Sequence, residues 1–181
     1  MAKFKLPRES GTLAVLLCYF IVLGVAFYYY NLGQLSWDIL LASAIAWLVF
    51  EGLDNSKRLV RAFGVGIFLM LFDFAFENAG WLAGLWQTHS IFAIGVVPIQ
   101  VMGIALFGGA AWALYLPRKF NIWHSVADCI VFATFGALGE WLLIQQGLFT
   151  YNLWWNSGLA FLAYFLTWVL LHFVRYKVFK G

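Results

Sequence analysis

Six apolar stretches, each close to the length of a membrane-spanning helix, limit what this chain can fold into. They cover residues 12–30, 35–53, 59–77, 90–116, 123–143 and 158–175. A helix needs about 20 apolar residues to cross the hydrocarbon core of a bilayer, whereas the strands of a membrane barrel alternate between polar and apolar residues, as these stretches do not. The sequence therefore predicts an all-α membrane helical bundle of six transmembrane helices, folded as a single domain over residues 1–181.

Composition and charge agree with this fold class. Hydrophobic residues make up 64% of the chain and charged residues 10%, against about half and a quarter in soluble domains. The eleven basic residues lie beside alternate connections: Lys3, Lys5, Arg8, Lys57, Arg58, Arg61, Arg118, Lys119, Arg175, Lys177 and Lys180. The positive-inside rule predicts cytoplasmic termini, and we expect a multi-pass protein of the prokaryotic plasma membrane. Basic residues spread over four sites form no nucleic-acid-binding patch, so membrane lipids are the expected partners.

Three acidic residues lie near the outer, non-cytoplasmic side, where no Lys or Arg is predicted within reach. Asp73 and Glu77 are four residues apart and share one face of the third helix, and Glu140 lies near the outer end of the fifth. Acids in membrane segments generally face the bundle interior or a water-filled cavity and mark functional sites. Carboxyl groups that share such a site should retain a proton near neutral pH, which suits a general acid. The alternative is that Glu77 and Glu140 are solvated helix ends at the headgroup level.

A short pattern occurs twice and indicates an internal repeat. Glu77 and Glu140 each begin the spacing Glu-x6-Gly-Leu-aromatic, 63 residues apart. The two copies fall at the outer ends of the third and fifth helices. Helices three and four would then repeat helices five and six in parallel orientation, and each half would bring one glutamate to the same membrane level.

Amide and aromatic side chains surround these acids in the sequence. Those predicted to bind a substrate are Asn78, Trp81, Trp86, Gln100, Trp141 and Asn152. The aromatic residues either form an interfacial belt or line a pocket where their rings stabilise a cation. Pro98 is expected to kink the fourth helix, and the amide of Gln100 to find a partner in Asp73, Glu77 or the substrate region.

The three histidines do not form one metal site if this topology holds, and no metal is predicted. His89 lies on the outer side, whereas His124 and His172 lie at the cytoplasmic ends of helices five and six. His124 and Asp128 would join His172 and Glu51 in an inner polar cluster. Capping and ion pairing are the preferred interpretation of that cluster, and a metal site is the alternative.

Helices three to six resemble the small transmembrane proteins of carotenoid biosynthesis, which include a lycopene cyclase type and a carotenoid hydratase type. The resemblance rests on "FENAGWLAGLW" (76–86), "GVVPIQVMG" (95–103) and "GEWLLIQQGLFTY" (139–151). It implies a cofactor-independent reaction in which a carboxylic acid protonates an isoprenoid double bond. The cyclase members carry a Pro-x-Glu-Glu stretch where this chain reads Pro98-Ile99-Gln100-Val101, so Glu77, Asp73 or Glu140 would have to act as the acid, and cyclisation, isomerisation and hydration all remain open.

The residues fit this chemistry independently of the resemblance. Protonation of an alkene needs a neutral acid in a dry pocket, aromatic faces for the carbocation, and a base for the later proton transfer. Glu77 and Glu140 are predicted to be the acid and the base, in either order, with Asp73 sharing the proton. No cofactor is expected, since the sequence has no dinucleotide fingerprint, P-loop or haem-attachment motif.

Two other classes of function remain open. A proton-linked or lipid-soluble-ligand carrier would use the parallel repeat and the unpaired carboxyl groups, and six helices would favour a homo-oligomer. A membrane scaffold would need Glu77 for stability alone. We expect a lipophilic small molecule as the substrate of either the enzyme or the carrier.

Overall fold

A computed structural model describes residues 8–179, which form a helical bundle. The helices are α1 (Arg8–Tyr29), α2 (Leu35–Asn55), α3 (Leu59–Leu82), α4 (Ile99–Tyr115), α5 (Ile122–Gln145) and α6 (Ser157–Phe173). A 3₁₀ turn, Ser56–Arg58, precedes α3, and a π-helical turn, Val174–Val178, follows α6. Five helical segments are long and apolar enough to cross a membrane, and the shorter α4 has 17 residues. Lys3, Lys5 and Lys180, used above to predict orientation, lie outside the described residues, as do the first seven and last two residues of the predicted domain.

The fourth helix begins later than the sequence predicts, at Ile99 rather than near residue 90. Pro98 stands just before its first turn with extended backbone angles, φ −56° and ψ 137°. A proline at this position costs the helix no hydrogen bond, because the first N–H groups of a helix have no intrahelical acceptor. The predicted kink at Pro98 is therefore wrong.

Short strands occupy the connections at one end of the bundle. Strand β1 (Trp86–Thr88) pairs antiparallel with β4 (Phe149–Tyr151), and β2 (Ala93–Ile94) pairs with β3 (Val97–Pro98). We call this end of the bundle the sheet end. The opposite end carries Arg58 and Arg118 and is called the basic end.

The helices pack as two groups. Helix α4 packs against both α2 and α3, while α5 packs against α6 and α1 lies on α5. Gly66 and Gly109 bring the α3 and α4 backbones together, because a Cβ atom at Gly66 would overlap the carbonyl oxygen of Leu106. The two groups leave a cavity between them.

Two arginines cap the C-terminus of α4 at the basic end. Arg58 donates hydrogen bonds to the carbonyl oxygens of Ala113, Leu114 and Leu116, at 3.1–3.4 Å. Arg175, which is buried, donates through Nε to Ala113 at 3.1 Å. Positive side chains at this point satisfy carbonyls that have no helical partner and complement the helix dipole.

Gln146 fastens the connection between α1 and α2 to the end of α5. Its Oε1 atom accepts hydrogen bonds from the backbone N–H groups of Leu32 and Gly33, at 2.6 and 3.1 Å. Its Nε2 atom donates to the carbonyl oxygens of Phe27 and Tyr30, at 2.6 and 3.0 Å. One buried amide thereby satisfies four backbone groups at the turn that follows α1.

Candidate functional site

A cavity of about 550 Å³ lies between the two helix groups. Its wall is mainly apolar and aromatic, and it contains all three predicted catalytic acids, Asp73, Glu77 and Glu140. The aromatic residues that line the cavity near these acids include Phe72, Phe76, Trp86, Phe135, Trp155 and Tyr164. A cavity of this size with an apolar, aromatic wall and a few polar groups has the general features of small-molecule pockets in proteins.

Glu77 is buried and held by an indole. The Nε1 atom of Trp86 donates to Oε2 of Glu77 at 3.0 Å. The ring reaches this carboxyl group by lying across Gly80, one turn further along α3, where a Cβ atom would overlap the indole. Glycine at this position therefore lets the end of α3 pack against the residue that holds its own glutamate.

Glu140 is held by a phenol. The hydroxyl group of Tyr151 donates to Oε2 of Glu140 at 2.6 Å, and Tyr164 of α6 directs its hydroxyl group toward the same carboxyl group. The Tyr164 ring lies against Gly136, four residues before Glu140, where a Cβ atom would approach the ring to 2.7 Å. As at Gly80, a glycine one turn away makes room for an aromatic ring beside the carboxyl group.

The β1–β4 pair brings the two donors to the same place. Trp86 stands opposite Tyr151, and Gln87 stands opposite Thr150. Because side chains alternate along a strand, Trp86 and Tyr151 point to one face of the pair, and the exposed Gln87 and Thr150 point to the other. The same face carries Thr88 and Phe149, which line the cavity together with Trp86. The small sheet thus closes the cavity at the sheet end.

The two copies of the sequence pattern adopt matching backbone geometry. Gly84 and Gly147 both have φ +69°, the left-handed conformation that glycine supplies after a helix. The following N–H groups, of Leu85 and Leu148, each bond to a carbonyl oxygen five residues earlier at 2.9 Å. Each of these turns leads from its helix into its strand, and the two strands begin the same number of residues after their glutamates.

Backbone hydrogen bonds beside the sheet also occur in matching pairs. The N–H of His89 donates to Leu148 O, and the N–H of Asn152 donates to Leu85 O, both at 2.8 Å. His89 and Asn152 occupy equivalent positions in the two copies of the pattern, as do Leu85 and Leu148. The two segments therefore hold each other reciprocally.

Asp73 lies on the same face of α3 as Glu77. It is half-buried, and it is close enough to interact electrostatically with both Glu77 and Glu140. Among the described residues, no hydrogen-bond partner reaches its buried Oδ2 atom. The structure therefore brings the three predicted acids together in one cavity, and one carboxyl oxygen of Asp73 has no hydrogen-bond partner among the described residues.

Tyr151 stays a hydrogen-bond donor over the ordinary range of pH. Burial, followed by the negative charge of Glu140, raises the pKa of this phenol well above its usual value. The Tyr151 hydroxyl group therefore remains protonated beside Glu140 under physiological conditions.

Of the six residues predicted to bind a substrate, Trp86 alone lines the cavity among the residues that the structure describes. Asn78 donates to the carbonyl oxygen of Phe74 on its own helix, at 2.7 Å. Trp81 and Trp141 are 45% and 39% exposed on the outside of the bundle, and Asn152 is exposed. Spacing along a helix identified the right ends of α3 and α5 but did not distinguish the face that points inward.

Gln100 has a different partner from those predicted. Its Nε2 atom donates to Oδ1 of Asp38 at 3.1 Å, and not to Asp73 or Glu77. The reason is that this face of α4 packs against α2, which begins beside Asp38.

Several residues of the cavity wall are not among the residues predicted to be catalytic or to bind a substrate. Tyr164, Trp155, Trp37, Trp47 and Trp168 all line it. Tyr164 gave a usable signal, because a tyrosine within an apolar stretch needs a partner for its hydroxyl group. The sequence does not tell which acid that partner is, since α5 and α6 could be aligned in several ways.

The inner polar cluster forms only in part. Asp128 is fully buried and accepts hydrogen bonds through Oδ2 from Trp112 Nε1 at 2.8 Å and from His172 Nε2 at 3.0 Å. His124 instead contacts the Tyr115 hydroxyl group at 3.2 Å. Within residues 8–179, no three His, Cys, Asp or Glu side chains stand together as metal ligands. The hydrogen bonds of Asp128 join α4, α5 and α6 on the side of the cavity that faces the basic end.

Comparisons with known proteins complete this description. No protein-family model, no curated protein and no solved structure matches the chain.

Proposed function

We propose that this chain is an integral-membrane enzyme that protonates a double bond of an isoprenoid or carotenoid-like lipid and thereby cyclises, isomerises or hydrates it. The observation that carries the proposal is the presence of Asp73, Glu77 and Glu140 in one apolar, aromatic-lined cavity. The sequence resemblance to the membrane proteins of carotenoid biosynthesis supports the same chemistry. No cofactor is required, because proton donor and acceptor are both side chains of the chain.

The hydrogen bonds around the two glutamates suggest which is the acid and which is the base. Glu140 faces two phenol hydroxyl groups, and an ionised carboxylate accepts such bonds better than a neutral acid does. Among the described residues, Glu77 accepts a side-chain hydrogen bond from the Trp86 indole alone, and it lies next to Asp73, with which it can share a proton. We therefore assign Glu77, assisted by Asp73, as the acid and Glu140 as the base.

The reaction balances with these groups alone. The carboxylic acid of Glu77 transfers its proton to one alkene carbon, the π electrons form the new C–H bond, and a carbocation is left at the other carbon. For cyclisation, the π electrons of a second double bond of the substrate first form a carbon–carbon bond to the cation, which moves the positive charge to the other carbon of that double bond. Glu140 then removes a proton from a carbon next to the cation, which gives an isomerised or cyclised alkene, or from a water molecule that attacks the cation. Proton transfer from Glu140 back to Glu77 restores the starting state.

Aromatic rings are placed to stabilise the cation. Phe76 and Trp86 have ring centroids 5.2 Å apart, and Trp86 and Trp155 have centroids 4.4 Å apart. All three rings line the cavity beside Glu77. The faces of such rings attract a positive charge within about 6 Å, most strongly where water is excluded.

A lipid substrate has a side route into this cavity. The wall includes Val15 of α1 and Phe50 of α2, which are 69% and 59% exposed on the outer surface of the bundle. Between these helices, Tyr19 and Ser43 share a hydrogen bond at the rim. A substrate dissolved in the bilayer would reach the acids between α1 and α2 without crossing water.

The proposal includes a membrane topology. We propose that all six helices span the bilayer with both termini in the cytoplasm, in a prokaryotic plasma membrane. We also propose that α3–α4 and α5–α6 are parallel repeats, which the matched turns at Gly84 and Gly147 and the reciprocal hydrogen bonds of His89 and Asn152 support.

Product analysis tests the function. Bacterial cells that accumulate acyclic carotenoids or shorter polyprenyls would express the wild type, Glu77→Gln or Glu140→Gln, and lipid extracts would be separated by chromatography and weighed by mass spectrometry. We expect a new product of unchanged mass after cyclisation or isomerisation, or of one added water after hydration, and its loss in both variants. Asp38→Asn is the matched control, because Asp38 is an acid of the sheet end that does not line the cavity.

The folded amount of each variant would be measured by size-exclusion chromatography in detergent. If the wild type is folded and changes none of these substrates, the proposed function is rejected. If the product persists in Glu77→Gln or Glu140→Gln, the assigned acid and base are rejected.

A carrier is the second candidate, and the buried Asp128–His172 pair below the cavity favours it. A proton carrier would need titratable groups at both ends of the bundle, and this pair lies nearer the basic end than the three acids do. Proton flux into vesicles that contain the purified chain would support the carrier if it occurs in the wild type and is lost in Glu140→Gln.

A further inference from the structure

Two tryptophans line a part of the cavity that is remote from the β1–β4 pair. Trp47 of α2 and Trp168 of α6 both pack against Phe132, with ring centroids 6.0 and 4.8 Å from that ring. All three residues line the cavity. Phe132 is eight residues before Glu140 on α5, so this region lies about 12 Å along the helix from the acids.

Both indole N–H groups in this region are buried and lack an acceptor among the described residues. The nearby hydroxyl groups of Ser43 and Thr167 donate to the carbonyl oxygens of Ile39 and Ala163 on their own helices, at 2.6 and 2.9 Å. A buried N–H group without an acceptor is costly, and folded proteins rarely retain one. Two such donors on residues that line one cavity indicate an acceptor outside the residues that the structure describes.

We propose that Trp47 and Trp168 bind an oxygen atom of the ligand, so that the preferred ligand is an isoprenoid alcohol or carbonyl compound rather than a hydrocarbon. The oxygen lies between the two indole N–H groups, and the apolar chain runs past Phe132 toward Asp73, Glu77 and Glu140. This orientation brings a double bond remote from the oxygen to the acids. The inference rests on the proposed function for the use of that double bond, whereas the oxygen site rests on the two indoles.

Competition binding tests the oxygen site. The purified full chain in phosphatidylcholine nanodiscs would bind tritiated geranylgeraniol, and two unlabelled competitors would be compared: geranylgeraniol itself and the C20 hydrocarbon that lacks its hydroxyl group. We expect the wild type to prefer the alcohol by about tenfold or more, as two hydrogen bonds predict. Trp47→Phe and Trp168→Phe keep an aromatic ring without the N–H group, and each should lower this preference about threefold or more.

The double variant should bind the two competitors about equally. Trp123→Phe is the matched control, because Trp123 is 79% exposed and does not line the cavity, and its preference should equal that of the wild type. Equal affinity of the wild type for both competitors, a preference that survives in the double variant, or the absence of saturable binding would each overturn the oxygen site.

The outcome separates this inference from the proposed function. Glu77→Gln should lose conversion of isoprenoids and keep its preference for the alcohol. A wild type that prefers the alcohol but converts no isoprenoid would reject the proposed function and leave the oxygen site standing. A wild type that converts isoprenoids without that preference would reject the oxygen site alone.

Discussion

Trp86 and Tyr151 stand directly opposite each other in the β1–β4 pair, yet they donate hydrogen bonds to two different glutamates. Trp86 follows its acceptor Glu77 by nine residues, whereas Tyr151 follows its acceptor Glu140 by eleven. The two halves of the sheet thus use different strand positions to hold equivalent acids. An indole and a phenol also differ chemically, because only the phenol can accept a hydrogen bond as well as donate one.

Replacing either donor, Trp86 or Tyr151, by phenylalanine keeps an aromatic ring but removes the hydrogen bond to the carboxyl group, and this should slow the proposed reaction. Trp86→Phe and Tyr151→Phe each delete one hydrogen bond to a carboxyl group, and we expect conversion to fall about tenfold or more. Initial rates of formation of the proposed product by the purified chain in nanodiscs would measure this. The exposed Trp154→Phe should behave as wild type. Unchanged rates in both donor variants would show that these hydrogen bonds serve the fold and not the chemistry.

Gly80→Ala should displace Trp86 from Glu77. The added Cβ atom would overlap the indole, so the ring or the helix end must shift, at a cost of about 1–3 kcal/mol. Thermal unfolding in detergent should show a lower midpoint together with a lower rate of conversion. Gly139→Ala is the control, since a Cβ atom there meets no atom within 4 Å. Equal midpoints and rates for the two variants would contradict the described packing.

Gly139→Leu should block the cavity without disturbing the fold. Gly139 lies on the cavity wall with open space above it, and leucine is a better helix former than glycine. Binding of tritiated geranylgeraniol should weaken about tenfold or more, while the unfolding midpoint stays the same or rises. The control is Gly11→Leu, which places a leucine in open space on a different helix, α1, and should leave binding unchanged. Tight binding by Gly139→Leu would mean that the ligand uses another site.

Gln146→Ala should loosen α1. The substitution leaves buried backbone groups of the α1–α2 connection without partners, which costs about 1–3 kcal/mol for each group that water cannot reach. We expect a lower unfolding midpoint and faster hydrogen exchange at residues 27–33. The neighbouring Gln145 is exposed, so Gln145→Ala should change neither quantity. Unaltered exchange in Gln146→Ala would show that α1 is held mainly by its contacts with α5.

Tyr151 should stabilise the fold at ordinary pH and lose this effect in alkali. Its pKa is raised in the folded state, so its contribution is fully present below the unfolded value of about 10 and declines as the pH rises above it. The difference in free energy of unfolding between wild type and Tyr151→Phe should be constant between about pH 8 and 9 and fall above about pH 10. Denaturant titrations followed by circular dichroism would measure it. A difference that grows in alkali would contradict the raised pKa.

The helical class was predictable because the length of an apolar stretch is a local property. Five of the six stretches correspond to helices long and apolar enough to cross a membrane. The start of α4 was not predictable from apolarity, since residues 90–98 are as apolar as a helix but form the β2–β3 hairpin, which turns at Gly95 with φ +63°. Pro98 is equally compatible with a kink inside a helix and with a helix start.

The acids of the site were predictable, whereas most of the wall was not. The acids Asp73, Glu77 and Glu140 stood out because an acidic side chain within an apolar stretch is costly, generally faces the bundle interior and marks a functional site. Wall residues such as Trp47 and Trp168 belong to the site through the packing of helices that are distant in sequence. The apolar faces of α2 and α6 gave no periodic signal, because a membrane helix is apolar on all sides.

The β1–β4 register restricts how the lengths of two loops can change. Eight residues separate Glu77 from Trp86, and ten separate Glu140 from Tyr151. Loops usually tolerate insertions and deletions, but a slip of one residue in either strand would turn Gln87 or Thr150 inward and remove a donor from its acid. Related chains that keep this site should therefore vary in loop sequence far more than in loop length between each glutamate and its donor.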